Sequence, residues 1–187
     1  MEKNLSNLYF TLAVSLFLVT LAAVLVRHAG RARRAAKADW EQLIGRLEWV
    51  DRNTIASIAQ NAFADDGHQD AESPIELDGS TISSMLGGLA GLEILERNCA
   101  VLVDLAAYLQ RWYPEALVIA EQLRLNAREL EWHVARLKGA AQTGNLPTAF
   151  GDYAQRAVVI YYTMTRHVLE LYTRTSSPGL NELEASL

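Results

Sequence analysis

The sequence has few of the residues that interrupt helices or cross-link a chain. It contains one cysteine and four prolines in 187 residues, and aromatic residues make up 8%. A single cysteine cannot form an intramolecular disulfide, so the fold cannot depend on one. Cys99 lies among apolar neighbours, where a thiol packs as a small core side chain. The low proline content, with abundant Ala, Leu, Glu and Arg, favours long helices.

Basic residues are scarce in the larger part of the chain. From residue 38 to the end there are 11 basic and 21 acidic residues, which gives this part a net charge of about −10. Such a surface repels phosphate backbones, so we expect no nucleic-acid binding. Residues 27–37 have the opposite character, because they hold five basic side chains: Arg27, Arg31, Arg33, Arg34 and Lys37.

Charge is absent altogether between Leu5 and Val26. At a rise of about 1.5 Å per residue, this apolar run is long enough to cross a hydrocarbon core of about 30 Å. A cleaved signal peptide is the alternative, but Lys3 stands against Glu2, the apolar run is too long, and no small-x-small cleavage site ends it. The run therefore predicts a single transmembrane helix.

The basic cluster that follows this run predicts its orientation. Basic residues beside a membrane span stay on the cytoplasmic side, and Lys3 is the only one on the other flank. We therefore expect the N-terminus outside and the C-terminal domain in the cytoplasm. The five basic side chains would contact anionic lipid headgroups: Arg27, Arg31, Arg33, Arg34 and Lys37.

Apolar residues recur at steps of three and four through most of the remaining chain, which is typical of amphipathic helices. We predict helices at about 31–64, from Ser80 or Thr81 to Tyr113, from Pro114 to about 141, and at about 148–174. The first has a stripe at Trp40, Leu43, Ile44, Leu47, Val50, Thr54 and Ile58. The second has a seam at Met85, Gly88, Leu92, Leu95, Cys99, Leu102, Ala106, Leu109 and Tyr113. The third has Ala116, Ala120, Leu123, Ala127, Leu130, Val134, Leu137 and Ala141, and the fourth has Phe150, Tyr153, Ala157, Ile160, Met164, His167 and Leu171.

This pattern predicts an all-α protein, in which one transmembrane helix precedes an antiparallel bundle of about four helices with coiled-coil-like packing. An acidic stretch with Gly67 and Pro74 interrupts the helical pattern and is expected to be a loop. A calcium site is the alternative, but the alternating spacing of a calcium-binding loop is absent. We assign the chain as follows: 1–27 the transmembrane part, 28–38 a basic juxtamembrane segment, 39–175 the bundle with its acidic loop at 65–79, and 176–187 a C-terminal tail.

The chemical motifs that could support catalysis are incomplete. Helical bundles hold di-iron sites on Glu and Glu-x-x-His pairs, but here His133 and His167 fall about 16 Å apart along the predicted bundle axis. No serine lies in a nucleophile elbow, and Gly87 with Gly88 and Gly91 lacks the lysine of a phosphate-binding loop. His167 fits a core histidine. We expect no catalytic residue, no metal and no cofactor.

Two further apolar rows lie off the predicted seams. The first is Val118, Leu125 and Trp132, and the second is Ile94, Val101 and Tyr108. An apolar row edged by charge is typical of a partner-binding stripe. The alternative is that another helix of the same chain covers the row. In that case Trp132→Ala would destabilise the fold, whereas a partner-binding tryptophan would mainly affect complex formation.

These observations predict a non-catalytic, membrane-anchored interaction protein. We expect an accessory or scaffolding subunit of a larger membrane-associated complex, held in the bilayer through residues 5–26 and bound to a protein partner in or at the membrane. A homo-oligomer is also compatible with the pattern. The alternatives are a tethered signalling or sensing module and, less favoured, a helical-bundle metalloenzyme.

Overall fold

The computed structural model describes residues 12, 14–20, 22, 40–65, 77–175 and 179–187. The chain divides into two compact units, Met1–Ala38 and Asp39–Leu187. In the first unit residues 14–20 are helical. Among the described residues, no helix is both long and apolar enough to cross a membrane. Most of the predicted span at 5–26, and all five predicted headgroup-contacting side chains, lie outside the described residues.

The second unit is helical, and its described residues contain no strand. Its helices are α1 (Trp40–Ile44), α2 (Arg52–Asp65), α3 (Gly79–Leu86), α4 (Gly88–Leu109), α5 (Ala116–Gln142), α6 (Leu146–Arg174) and α7 (Leu180–Ser186). The prediction of an all-α bundle is confirmed, although its helices between residues 40 and 187 are more numerous and several are shorter than expected. The acidic residues 66–76 lie outside the described residues.

The three long helices α4, α5 and α6 form the centre of the bundle. Short turns at 110–115 and 143–145 reverse the chain, so that α5 runs antiparallel to both neighbours. Two hydrogen bonds join the C-terminal ends of α4 and α6. The Tyr172 hydroxyl donates to the Leu105 carbonyl at 3.2 Å, and the Tyr113 hydroxyl donates to the Thr175 carbonyl at 2.9 Å.

The predicted seams account for most of this core. On α5 the seam is buried from Ala116 to Leu137, and on α4 from Leu92 to Leu109. On α6 the register is partly different: Tyr153, Ile160 and His167 are only half-buried. Instead the chain buries a broader face of α6, which contains Phe150, Ala154, Ala157, Val158, Tyr161, Met164, Val168, Leu171 and Tyr172.

The predicted continuous helix at 31–64 is wrong in its described part, because the chain leaves the helix after Ile44. Gly45 and Arg46 form a turn, and residues 47–51 are not helical. Asp51 then begins α2, since its carboxylate accepts hydrogen bonds from the Asn53 amide at 3.0 Å and the Thr54 hydroxyl at 2.8 Å. The bond from the Asn53 amide satisfies one of the free N–H groups at the start of the helix.

The predicted helix from residue 80 to Tyr113 is also two helices. Asp78 caps α3 by accepting from the Thr81 amide at 2.8 Å. The break follows at Gly87 and Gly88, whose φ angles of 73° and 71° are left-handed and therefore favour glycine. At Gly91 an added Cβ would lie 1.8 Å from the Leu86 carbonyl oxygen, so this tight turn needs glycine there as well. The second helix ends at Leu109.

The C-terminal residues pack onto the bundle. Leu183 and Leu187 are buried, and Gly179 precedes the short helix α7. The Trp40 indole lies against the Tyr172 ring, with centroids 5.2 Å apart, and its Nε1 donates to the Glu182 carboxylate at 2.7 Å. Helices α1 and α7 therefore meet at the bundle end that contains Tyr172, and the segment predicted as a tail is helical at 180–186.

Candidate partner-binding face

The face of α5 that points away from its seam carries a row of exposed apolar side chains. The exposed fractions are 74% for Val118, 58% for Leu125 and 49% for Trp132, and Leu117 beside the row is 51% exposed. From Val118 to Trp132 the row is about 21 Å long at 1.5 Å per residue. No helix among the described residues covers it, so the predicted row lies on the surface.

Polar side chains along the edges of this row interact with one another. Arg124 forms an ion pair with Glu121, one turn earlier. Gln122 Nε2 donates to Asn126 Oδ1 at 3.0 Å. Because these groups already have partners within α5, the apolar row remains as the part of this face whose burial would release free energy.

Trp132 is held in place by its neighbours although half of it is exposed. Its ring lies edge-on to His133 and Tyr153, with centroids 5.0 and 5.8 Å away. The Arg136 guanidinium lies 5.0 Å from the indole centroid, as in a cation–π contact. A partner that covers the free side of this indole would therefore pay little conformational entropy to order it.

His133 is the buried neighbour of Trp132. It is 4% exposed, and its Nδ1 has no hydrogen-bond partner among the described residues. Burial lowers the pKa of His133, the Glu129 carboxylate at 3.9 Å from Nε2 opposes that shift, and the charge of Arg156 adds to it. The imidazole is thus neutral at neutral pH, and it serves as a packing surface for Trp132.

The second predicted row, on α4, has a different environment. Val101 is only 3% exposed, and Ile94 and Tyr108 are half-buried. The Tyr108 ring lies 6.0 Å from that of Trp40, and the Arg111 guanidinium lies 4.7 Å from its centroid. The chain therefore covers this row itself, and Val101 in particular is a core residue that is not available to a partner.

The cover over α4 depends on Asn98, a residue that the sequence analysis did not single out. Its side chain is buried and binds the Glu48 backbone twice: Oδ1 accepts from the amide at 2.9 Å and Nδ2 donates to the carbonyl at 2.8 Å. Arg97 forms an ion pair with the Glu48 side chain, and Arg46 one with Asp104 at 2.8 Å. These contacts hold residues 46–48 across the face of α4 that contains Val101.

An asparagine directly before the seam residue Cys99 was the available signal for this contact. A buried amide needs partners, and in the interior of a helix it must find them on another segment. The sequence alone does not show that the partner is the backbone of Glu48, because the two residues are 50 positions apart.

Three side chains of the types that bind metals or act as nucleophiles, Glu93, Glu96 and Cys99, lie on α4. Glu93 and Glu96 both lie 3.2 Å from the Lys138 ammonium. Within the described part of the chain, no group of three or more potential metal-ligating side chains occurs. Burial raises the pKa of the Cys99 thiol, so the thiolate needed for nucleophilic chemistry is disfavoured.

Comparison with protein-family models, curated proteins and solved structures finds no match to this chain. The exposed row of α5 is therefore interpreted from its own geometry alone.

Proposed function

We propose that the protein is a membrane-anchored accessory or scaffolding subunit that binds a protein partner through the exposed row of α5. The observation that carries this proposal is the exposure of Val118, Leu125 and Trp132 along one helix face. Large apolar side chains in a continuous row on a charged surface favour association with another protein.

The row has the composition of an interface centre. Trp132 is an aromatic side chain held in one orientation by Tyr153 and Arg136, and buried tryptophans contribute most to binding energy at interfaces. Glu121 and Arg124 form an ion pair at the edge of the row. Because their charges already balance each other, they suit the polar rim of an interface and need no charged group on the binding partner. The length of about 21 Å fits a partner helix of about four turns lying along α5.

Attachment to the membrane is the second part of the proposal. The uncharged run at 5–26 and the basic residues after it favour a single span with the helical unit on the cytoplasmic side. A reporter fused after Leu187 tests this topology. It should be active only in its cytoplasmic form, and glutamine at Arg27, Arg31, Arg33 and Arg34 should weaken that preference. Activity of an extracytoplasmic reporter on the unsubstituted chain would contradict the orientation.

Partner binding is tested by purifying the full-length protein from its native membrane in mild detergent, followed by size and mass analysis. We expect a stable hetero-complex for the unsubstituted protein. Leu125→Glu places a charge at the centre of the row and should release the partner. Ala141→Glu is the control, because residue 141 is exposed at the end of α5 and on its opposite side. A lone protomer in all three samples would contradict the proposal.

A further inference from the structure

A cavity on the other side of the bundle has no role in the proposed partner interaction. It lies between the start of α2, the second half of α6 and the C-terminal residue, and its volume is about 170 Å³. Its apolar lining includes Val50, Ile55, Ala56, Leu169 and Leu187. For comparison, an apolar cavity of about 150 Å³ holds one benzene molecule. The space therefore fits a single ring or a branched apolar group of similar size.

Two cations lie at the edge of this cavity. Arg52 and Arg166 line it, and neither forms an ion pair with a carboxylate among the described residues. The Arg166 guanidinium lies 5.9 Å from the ring centroid of Tyr162, which also lines the cavity. The neighbouring Asp51 carboxylate accepts hydrogen bonds from the Asn53 amide and the Thr54 hydroxyl, and it forms no ion pair with either arginine. A ligand with one negative charge would complete this arrangement.

Polar groups also lie within the wall. The Tyr161 hydroxyl accepts from Asn98 Nδ2 at 3.3 Å. The Thr165 hydroxyl is buried beside it and makes no hydrogen bond of normal geometry. A buried hydroxyl of this kind is costly unless a partner binds it, and a ligand oxygen could supply that partner.

We propose that this cavity binds a small carboxylate with one aromatic ring or a branched apolar group. The apolar group occupies the cavity, and the carboxylate accepts hydrogen bonds from Arg52 and Arg166 at its edge. Because the walls belong to α2, α6 and the C-terminal residue, binding links three segments of the bundle. This binding site is separate from the exposed row of α5, since none of the cavity residues belongs to that helix.

Phenylacetate is a suitable probe for this site in the full-length protein purified in detergent. Binding is measured by isothermal titration calorimetry and compared with phenylacetamide, which has the same shape without the charge. We expect saturable binding of phenylacetate and at least about tenfold weaker binding of the amide, since one charged hydrogen-bonded contact contributes about 1.4 kcal/mol or more.

Three variants locate the binding. Arg52→Gln combined with Arg166→Gln should weaken phenylacetate binding at least tenfold relative to the unsubstituted chain. Ala56→Leu should abolish it by filling the cavity. Arg156→Gln removes an exposed arginine of α6 that does not line the cavity, and it should leave the affinity unchanged. Thermal unfolding by circular dichroism checks that each variant is folded.

Absence of saturable phenylacetate binding would overturn the proposal. Equal affinity for phenylacetate and phenylacetamide would do so as well, and so would full affinity in either the double arginine variant or folded Ala56→Leu. Loss of binding in Arg156→Gln would show a nonspecific charge effect and would also contradict it. None of these results bears on the partner interaction, which is measured separately through Leu125.

Discussion

Two apolar rows with the same seven-residue spacing have opposite environments in this protein. On α5, Val118 is 74% exposed, whereas on α4 the corresponding row contains Val101 at 3%. The difference does not come from the helices themselves. It comes from residues 46–48, which Asn98 and Arg97 hold across α4, while no comparable segment lies across α5 among the described residues.

The comparison shows what helical spacing can reveal about a surface. Spacing places side chains on a common face of a helix, but it does not show whether a distant segment covers that face. On α4 the covering segment is a non-helical stretch, although its apolar residues continue a helical spacing in the sequence. The exposure of the α5 row is therefore information that the structure adds to the spacing, because it depends on how the other helices pack.

The contact that covers α4 should be the most costly to remove. Asn98→Ala leaves the Glu48 amide and carbonyl without their partners, so we expect a loss of about 3 kcal/mol in the free energy of unfolding. Gln122→Ala removes an exposed side-chain hydrogen bond on α5 and should cost less than about 0.5 kcal/mol. Chemical denaturation of the full-length protein in detergent measures both. Similar stabilities would contradict the role assigned to Asn98.

The two valines provide a matched pair for the next test. Val101→Ala should reduce the free energy of unfolding by about 2 kcal/mol, since it removes buried methyl groups and leaves a small cavity. Val118→Ala should change it by less than about 0.5 kcal/mol, because that side chain is already in water. If the two substitutions cost the same in denaturation measurements, the two rows do not differ as described.

Trp132 lies between these extremes. Its ring contacts with Tyr153 and His133 and the cation–π contact with Arg136 predict that Trp132→Ala costs about 1 kcal/mol of stability in the purified protein. A fully buried tryptophan would cost about 3–5 kcal/mol. A loss in that higher range would show that Trp132 belongs to the core and would argue against a role for it in partner binding.

The smallest expected effect is a pH dependence at His133. Burial lowers its pKa in the folded state below the ordinary value of 6.5, with Glu129 opposing the shift and Arg156 adding to it. As the pH falls below about 6.5, the unfolded chain takes up this proton first, so stability decreases until the folded-state pKa is reached.

Substitution of His133 tests whether its pKa is lowered in the folded protein. In denaturation series between about pH 7.5 and 5, His133→Gln should lose less stability than the unsubstituted protein, because glutamine takes up no proton in this range. Carboxylates affect both chains alike, so the difference between the two slopes isolates His133. Parallel slopes would be evidence against a lowered pKa.

Much of the fold could be predicted because its signals are local. The seam of α5 follows from its three- and four-residue steps. The helix break at Gly87 and Gly88 was not predicted, because the apolar seam continues across it from Met85 to Leu92. The break after Ile44 could not be predicted either, since the apolar stripe continues through Leu47 and Val50. There the segment bonds to Asn98, and this tertiary contact outweighs the local helical pattern.

The same limit applies to the candidate site. Periodicity placed Val118, Leu125 and Trp132 on one face, and the structure leaves that face exposed. The contribution of Tyr153 to the position of Trp132 depends on how α5 and α6 pack against each other. The two rings lie on different helices joined by the turn at 143–145, and the sequence does not define the packing of those helices to within a side chain.

Cysteine labelling at residue 125 tests the central claim most directly, because it compares the exposed row of α5 in the native membrane and in protein purified without the partner. Cys99 gives little background, since it is 1% exposed and burial raises its pKa. Leu125→Cys should react several-fold more slowly with a maleimide in opened native membranes than in protein that was produced and purified without the partner. Ala141→Cys should react equally fast in both. Equal rates for Leu125→Cys in the two preparations would contradict a partner on this face.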